Sequence, residues 1–181
     1  MNDISNVKKL FPVMILLGGL VFPMLIYGQT ESEKLSPEEY FDFWVGDWDL
    51  TWEAPDGTIE KGSNKVEKIL NGMVILENFK ALTGRFKGYE GKSFSVLRKQ
   101  SGTWRQTWVD SNQGYIDLSG ALDGNKRIFQ TESPGPGGKM MKKRMVYYDI
   151  TNDGFTWDWE TSIDDGKTWK LQWRIHYKRS K

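Results

Sequence analysis

Large apolar residues occupy every second position in Asp47-Trp48-Asp49-Leu50-Thr51-Trp52-Glu53, with polar residues between them. That is the period of a strand with one face buried and the other in water. The alternation is clearest near the end of the chain. There Trp169, Leu171, Trp173, Ile175 and Tyr177 share one face, and Lys170, Gln172, Arg174, His176 and Lys178 share the other. Phe155, Trp157 and Trp159 oppose Thr156, Asp158 and Glu160 in the same way. Residues that tolerate positive φ punctuate these segments, among them Pro55-Asp56-Gly57, Asn71-Gly72, Asp123-Gly124-Asn125 and Asp164-Asp165-Gly166. The pattern predicts ten strands, over 47–53, 58–70, 73–81, 92–98, 103–110, 115–121, 126–132, 140–150, 155–161 and 168–178. Ten meandering strands leave unpaired edges unless they close on themselves. The expected fold is therefore an all-β, antiparallel up-and-down barrel, with an open two-sheet sandwich as the alternative.

One short helix precedes the strands. Ser36 is a capping residue, Pro37 stands at the first helical position and Glu39 completes a capping box. Further upstream, Lys8 and Lys9 lead into an apolar run from Leu10 to Tyr27, followed by Gly28. Basic region, apolar stretch and small residue are the parts of a secretory signal peptide spanning residues 1–28. An uncleaved anchor is the competing reading and the only expected link to a membrane. Pro12, Gly18, Gly19 and Pro23 make the run a poor permanent span. Either way, lysines before the run and Glu31 and Glu33 after it export the domain to the periplasm or the outside. Residues 29–181 then form a single domain.

Composition narrows the chemistry. The chain of 181 residues has no Cys and one His, which excludes disulfides, thiolate metal sites and a cysteine nucleophile. No metal site is expected. Basic and acidic residues number 25 and 24, and removal of Lys8, Lys9 and Asp3 with the leader leaves a neutral domain. That balance gives no footprint for nucleic acid. What stands out instead is nine Trp. Eight of them fall into pairs on single strand faces (Trp48/Trp52, Trp104/Trp108, Trp157/Trp159, Trp169/Trp173), as the lining of a barrel requires, and Trp44 stands at the end of the short helix.

The entry Phe41-Asp42-Phe43-Trp44-Val45-Gly46-Asp47-Trp48 places Gly-x-Trp at the mouth of the first strand. This resembles the start of lipocalins and their calycin relatives. The resemblance implies that Trp48 plugs one end of the barrel and that Arg179, from the last strand, lies over it. The same opening, with Trp104-Arg105-Gln106-Thr107-Trp108-Val109-Asp110-Ser111 and Asp165-Gly166-Lys167-Thr168-Trp169, is also similar to a family of exported bacterial proteins known as a domain of unknown function. That likeness runs from Phe41 to Arg179 and brings fold but no activity. Some calycin relatives, of the nitrobindin type, hold haem through a His. Here His176 alternates with Trp173, Ile175 and Tyr177 and should face away from the interior, so no cofactor is expected.

Trp104, Gln106, Trp108 and Asp110 share one face of a strand, and with Trp157, Trp159 and Trp173 they make the candidate ligand-binding set. The expected partner is a small, largely apolar molecule in an aromatic-lined cavity. A hydrolase or isomerase is the alternative, with Glu77 and Asp110 as acid–base groups and Gln106 orienting. It requires the three to converge in one pocket. Glu77 shares a face with Met73, Ile75 and Phe79 and needs a partner, for which Arg98, Arg144 and Lys80 are candidates. A glycan-binding module is a further alternative and needs a row of exposed indoles. Ser162-Ile163-Asp164-Asp165-Gly166-Lys167-Thr168-Trp169 fits the Asp-box of sialidase-type propellers. A single copy reads as a hairpin brace built by Ser162, Asp164, Gly166 and Trp169. The carboxylates of Asp158 and Glu160 are expected to be solvated.

Overall fold

The computed structural model describes residues 35–181, so the leader assigned to residues 1–28 lies outside the described part of the chain. Ten strands form: β1 (Gly46–Glu53), β2 (Ile59–Ile69), β3 (Val74–Ala81), β4 (Glu90–Arg98), β5 (Thr103–Asp110), β6 (Tyr115–Asp123), β7 (Lys126–Pro134), β8 (Met140–Tyr148), β9 (Gly154–Ser162) and β10 (Lys170–Arg179). Each pairs antiparallel with its neighbours in sequence, and β10 closes on β1 with Trp48 opposite Arg179 and Leu50 opposite Tyr177. The closed barrel expected from the turn spacing is the fold, and its strand limits lie within two residues of those read from the pattern. The short helix takes the form of two 3₁₀ turns, Pro37–Glu39 and Asp42–Trp44. Ser36 donates from its backbone N–H and its hydroxyl to Glu39 Oε2, at 2.9 and 2.7 Å. So few residues remain before β1 that a longer α-helix has no room to propagate.

These turns cover one end of the barrel. Phe41, Trp44 and Trp48 are buried there, and Trp48 Nε1 donates to the Trp44 carbonyl at 2.8 Å. The Arg179 guanidinium lies 4.2 Å from the Trp48 ring centre and donates to the carbonyls of Val45 and Asn152. Gly46 makes this approach possible: its φ is +145°, and a side chain there would collide with Arg179. Trp104 belongs to the same end, with Nε1 donating to the Pro37 carbonyl at 2.7 Å and Phe41 edge-on at 5.3 Å.

Inside, the barrel has two unlike walls. The inward positions of β2 to β5 carry Glu60, Asn64, Glu77, Ser93, Ser95 and Gln106, all buried, interspersed with apolar Val66, Ile75 and Phe79. Those of β8 to β10 carry Met145, Tyr147, Phe155, Trp157, Ile175 and Tyr177, also buried. Aromatic packing ties the second wall together, with Phe155 stacked on Tyr177 at 4.2 Å.

The regular alternation read along the last strand breaks at one point. A register shift between Leu171 and Trp173 puts Leu171 opposite Glu160, on the outer face, and Trp173 opposite Trp159, on the inner face. Trp169 is therefore not part of the lining. It lies outside, 3.8 Å from the Arg144 guanidinium, which donates to Glu160 at 2.6 Å. The preceding turn is braced as an Asp-box. Gly166 N–H donates to Ser162 Oγ at 2.8 Å, and Thr168 donates to Asp164 through its hydroxyl and its N–H. Those donors, with the Ser162 hydroxyl, hold the Asp164 carboxyl down to about 2. Asp158 and Glu160 are not solvated carboxylates. Asp158 is buried on the outer face in a two-bond pair with Arg174, at 2.8 and 2.7 Å.

Candidate functional site

The open end of the barrel leads into a cavity of about 200 Å³. Its rim consists of half-buried Tyr89, Trp108, Asp110, Ile116, Trp159 and Trp173. Its floor and lower walls consist of buried Glu77, Phe79, Met145, Tyr147, Trp157, Ile175 and Tyr177. The indoles of Trp157 and Trp173 meet at 90°, 5.8 Å apart, and form one corner. Gly91, opposite Asp110 in the β4–β5 register, leaves the space into which the Trp108 ring folds, since a Cβ there would strike that ring.

The segment between β3 and β4 leans over the mouth. It contains a 3₁₀ turn, Gly84–Phe86, whose Phe86 ring stands 5.7 Å from Trp173 and 6.5 Å from Tyr89. Buried Glu60 anchors this turn. It accepts from the Arg85 N–H at 2.7 Å and from Trp52 Nε1 at 2.7 Å, so the loop is fixed to the inner wall.

Two carboxylates reach the cavity and their surroundings differ. Asp110 accepts from Tyr89 OH (2.9 Å), Trp108 Nε1 (3.0 Å), Asn112 N (2.9 Å) and Gly114 N (3.0 Å). Partial burial pushes its carboxyl upward, but these four donors outweigh it and hold the group below the usual range. Glu77 accepts only from Asn64 Nδ2 at 2.7 Å and Ser93 Oγ at 2.6 Å, both neutral. Full burial without a cation pushes its carboxyl up to about 7, against which the two hydrogen bonds act only in part. The basic partners considered for it are engaged or remote: Arg144 pairs with Glu160, Lys80 pairs with Glu90, and Arg98 is exposed. Met73 lies in the β2–β3 turn and is exposed, away from the Glu77 face.

A network runs beneath the floor. Gln106 Nε2 donates to Ser95 Oγ at 3.0 Å and Ser93 Oγ at 3.3 Å, and Asn64 Nδ2 also reaches Tyr177 OH at 3.2 Å. Burial first, and the Glu77 charge second, push the Tyr147 and Tyr177 hydroxyls well above their usual value, so both stay protonated. Among the described residues, Asn64 Oδ1, Gln106 Oε1 and Trp173 Nε1 are buried without a hydrogen-bond partner.

Of the candidate ligand-binding residues, Trp108, Asp110, Trp157, Trp159 and Trp173 line the cavity. Trp104 and Gln106 point inward from the same strand but do not line it. β5 runs from the closed end to the open one, which leaves Trp104 in the plug and Gln106 behind Ser93. Glu77 and Asp110 share the cavity yet belong to separate hydrogen-bond sets, so the three proposed catalytic groups do not converge. His176 is exposed on the outer face, with Nδ1 3.4 Å from Thr156 Oγ1. None of the nine indoles is exposed. Five are buried and four are half-buried, which leaves no row of open stacking platforms.

Sequence reasoning missed Phe79, Tyr89, Ile116, Met145, Tyr147, Ile175 and Tyr177 as lining. Phe79, Ile175 and Tyr177 were within reach, since strand parity puts Phe79 beside Glu77 and the other two beside Trp173. Tyr89 had no such signal, because it precedes β4 in a loop.

No family model and no curated protein matches the chain. Among solved structures, a redesigned β-barrel matches at 14% identity and a TM-score of 0.42, covering 79% of this chain and 96% of that one. A de novo designed fluorescence-activating β-barrel matches at 13% identity and a TM-score of 0.42, covering 81% of this chain and 100% of that one. At such distances the fold rests on the strand pairing itself.

Proposed function

We propose that the protein is an exported barrel that binds one small, largely apolar, ring-containing molecule in the cavity at its open end. The observation that carries this reading is a pre-formed space of about 200 Å³ walled by six-membered rings and indoles, with few polar groups. An apolar cavity of roughly 150 Å³ already accepts benzene. The space therefore suits one or two fused rings, and excludes the long-chain ligands of wider pockets. Trp48 beneath Arg179 supports kinship with lipocalin-type barrels, and the leader-like features of residues 1–28 support a place outside the cytoplasm.

Titration of intrinsic Trp emission with coumarin, a neutral two-ring probe, tests the reading. Saturable one-site quenching is expected, lost in Ile116→Trp, which fills the cavity from the rim. Quenching that is linear in probe and equal in the two proteins would overturn it.

The enzyme reading keeps one supporting observation, a buried carboxyl poised near neutrality at Glu77. It lacks a second group, because Asp110 is saturated with donors and Gln106 does not reach the cavity.

A further inference from the structure

The chemistry of the wall points beyond "small and apolar", and the step rests on the cavity reading above. Its thirteen lining residues include two carboxylates and no Lys, Arg or His. Among the described residues no basic side chain lies within salt-bridge distance of Glu77, whose only partners are an amide and a hydroxyl. Behind the lining, Asn64 Oδ1 and Gln106 Oε1 are further buried acceptors without donors, on the side chains that hold Glu77 and Ser93 in place. Around this floor stand Phe79, Tyr147, Trp157, Trp173 and Tyr177, rings whose faces carry negative potential. Both charged groups on this lining are thus acceptors, and no cation stands among them. The donors on the lining are neutral: the Tyr147 and Tyr177 hydroxyls, and Trp173 Nε1, which has no hydrogen-bond partner.

We propose that the cavity recognises a small organic cation, a protonated primary amine on a ring-bearing body, with the ammonium on Glu77 and the ring between the aromatic walls. An ammonium brings three donors and a positive charge to a carboxylate that has two neutral donors and no counter-charge. A carboxylate ligand would meet Glu77 as a like charge. A hydrocarbon would fill the space but leave the Glu77 carboxylate buried and unpaired. A buried carboxyl held near neutrality for want of a cation fits the same picture, since a bound ammonium would restore its ionised form.

Three probes of nearly equal shape separate the possibilities by calorimetry near neutral pH: phenethylamine, propylbenzene and hydrocinnamate. The amine is expected to bind at least about tenfold more tightly than either of the others, as a charge-assisted contact backed by cation–π attraction requires. Glu77→Gln should remove that advantage by weakening the amine, while propylbenzene still binds at least as tightly as it does to the parent protein, which also reports that the cavity is intact. Propylbenzene or hydrocinnamate binding as tightly as the amine would overturn the cation proposal and leave the cavity reading standing. Failure of all three probes to bind would overturn both. The comparison of probes on the unaltered protein decides the matter even if the variant does not fold.

Discussion

Across the barrel interior, the wall formed by β2 to β5 sets Glu60, Asn64, Glu77, Ser93, Ser95 and Gln106 among apolar residues such as Val66, Ile75 and Phe79, whereas the wall formed by β8 to β10 presents Tyr147, Phe155, Trp157, Ile175 and Tyr177. Both are buried, and both belong to strands of similar length in one closed sheet. They hold together by different means. The aromatic wall gains from apolar area removed from water and from ring packing such as Phe155 on Tyr177. The polar wall is a chain of side-chain hydrogen bonds that ends in a carboxylate without a counter-charge. A cavity lies between them, with Glu77 and Phe79 on one side and Trp157, Trp173 and Tyr177 on the other. The difference shows how a barrel can be both stable and receptive, with the aromatic side supplying stability and the polar side supplying an unmet demand.

Breaking the aromatic wall should have the largest effect. Phe155→Ala removes a buried ring and leaves its space behind, and is expected to cost about 3–5 kcal/mol in denaturant unfolding. A loss under about 1 kcal/mol would mean that this wall does not carry the fold.

The polar wall should behave in the opposite sense. Glu77 has a carboxyl raised from 4.5 to about 7 in the folded protein. The folded state holds this proton more tightly than the unfolded chain between those values. Its contribution to stability is thus fully present below about pH 4.5 and is lost as pH rises through about 7. Glu77→Gln is therefore expected to gain on the parent protein across that window, by about 3 kcal/mol in total. Unfolding curves recorded at acid and alkaline pH would contradict this if the two proteins ran parallel.

Ser93→Ala should cost less, about 1–3 kcal/mol, because it strips Glu77 of one of its two donors and unties Gln106. It should also raise the Glu77 titration midpoint further, a shift that simple loss of a hydroxyl elsewhere would not produce. Smallest of all is the effect expected at the plug, at the opposite end of the barrel from the cavity. Arg179→Met removes the cation above Trp48 and is expected to cost about 0.5–2 kcal/mol in thermal unfolding. It should leave ligand binding at the far end untouched.

The two walls also differ in how readable they are. Alternation of large apolar residues marked β1, β9 and β10 and put Trp157, Trp159 and Trp173 on the lining, because burying indoles on one face leaves a period of two in the sequence. The polar wall left no such trace. β2 reads Ile-Glu-Lys-Gly-Ser-Asn-Lys-Val-Glu-Lys-Ile, polar on both faces, so Glu60 and Asn64 could not be told from solvated residues. Ser93 is a small residue on β4 whose role exists only across the β3–β4 register, opposite Glu77. The shift at Leu171 that throws Trp169 outside depends on how β10 meets β9, and alternation along one strand cannot foresee it. Position along the strand was equally hidden for Trp104. Parity gave the correct face, but which end of the barrel it occupies depends on the chain before β1 folding over it.

Glu77 is central to both walls and to the cavity as a buried carboxyl with no cation beside it. Carboxyl-carbon NMR of the protein labelled at glutamate, with Glu77→Gln used for assignment, measures this directly. A Glu77 midpoint of about 7 is expected in the protein alone, moving down when phenethylamine is added. A midpoint in the ordinary glutamate range of roughly 4–4.5 would contradict it, since it would mean that water or a cation already meets the charge.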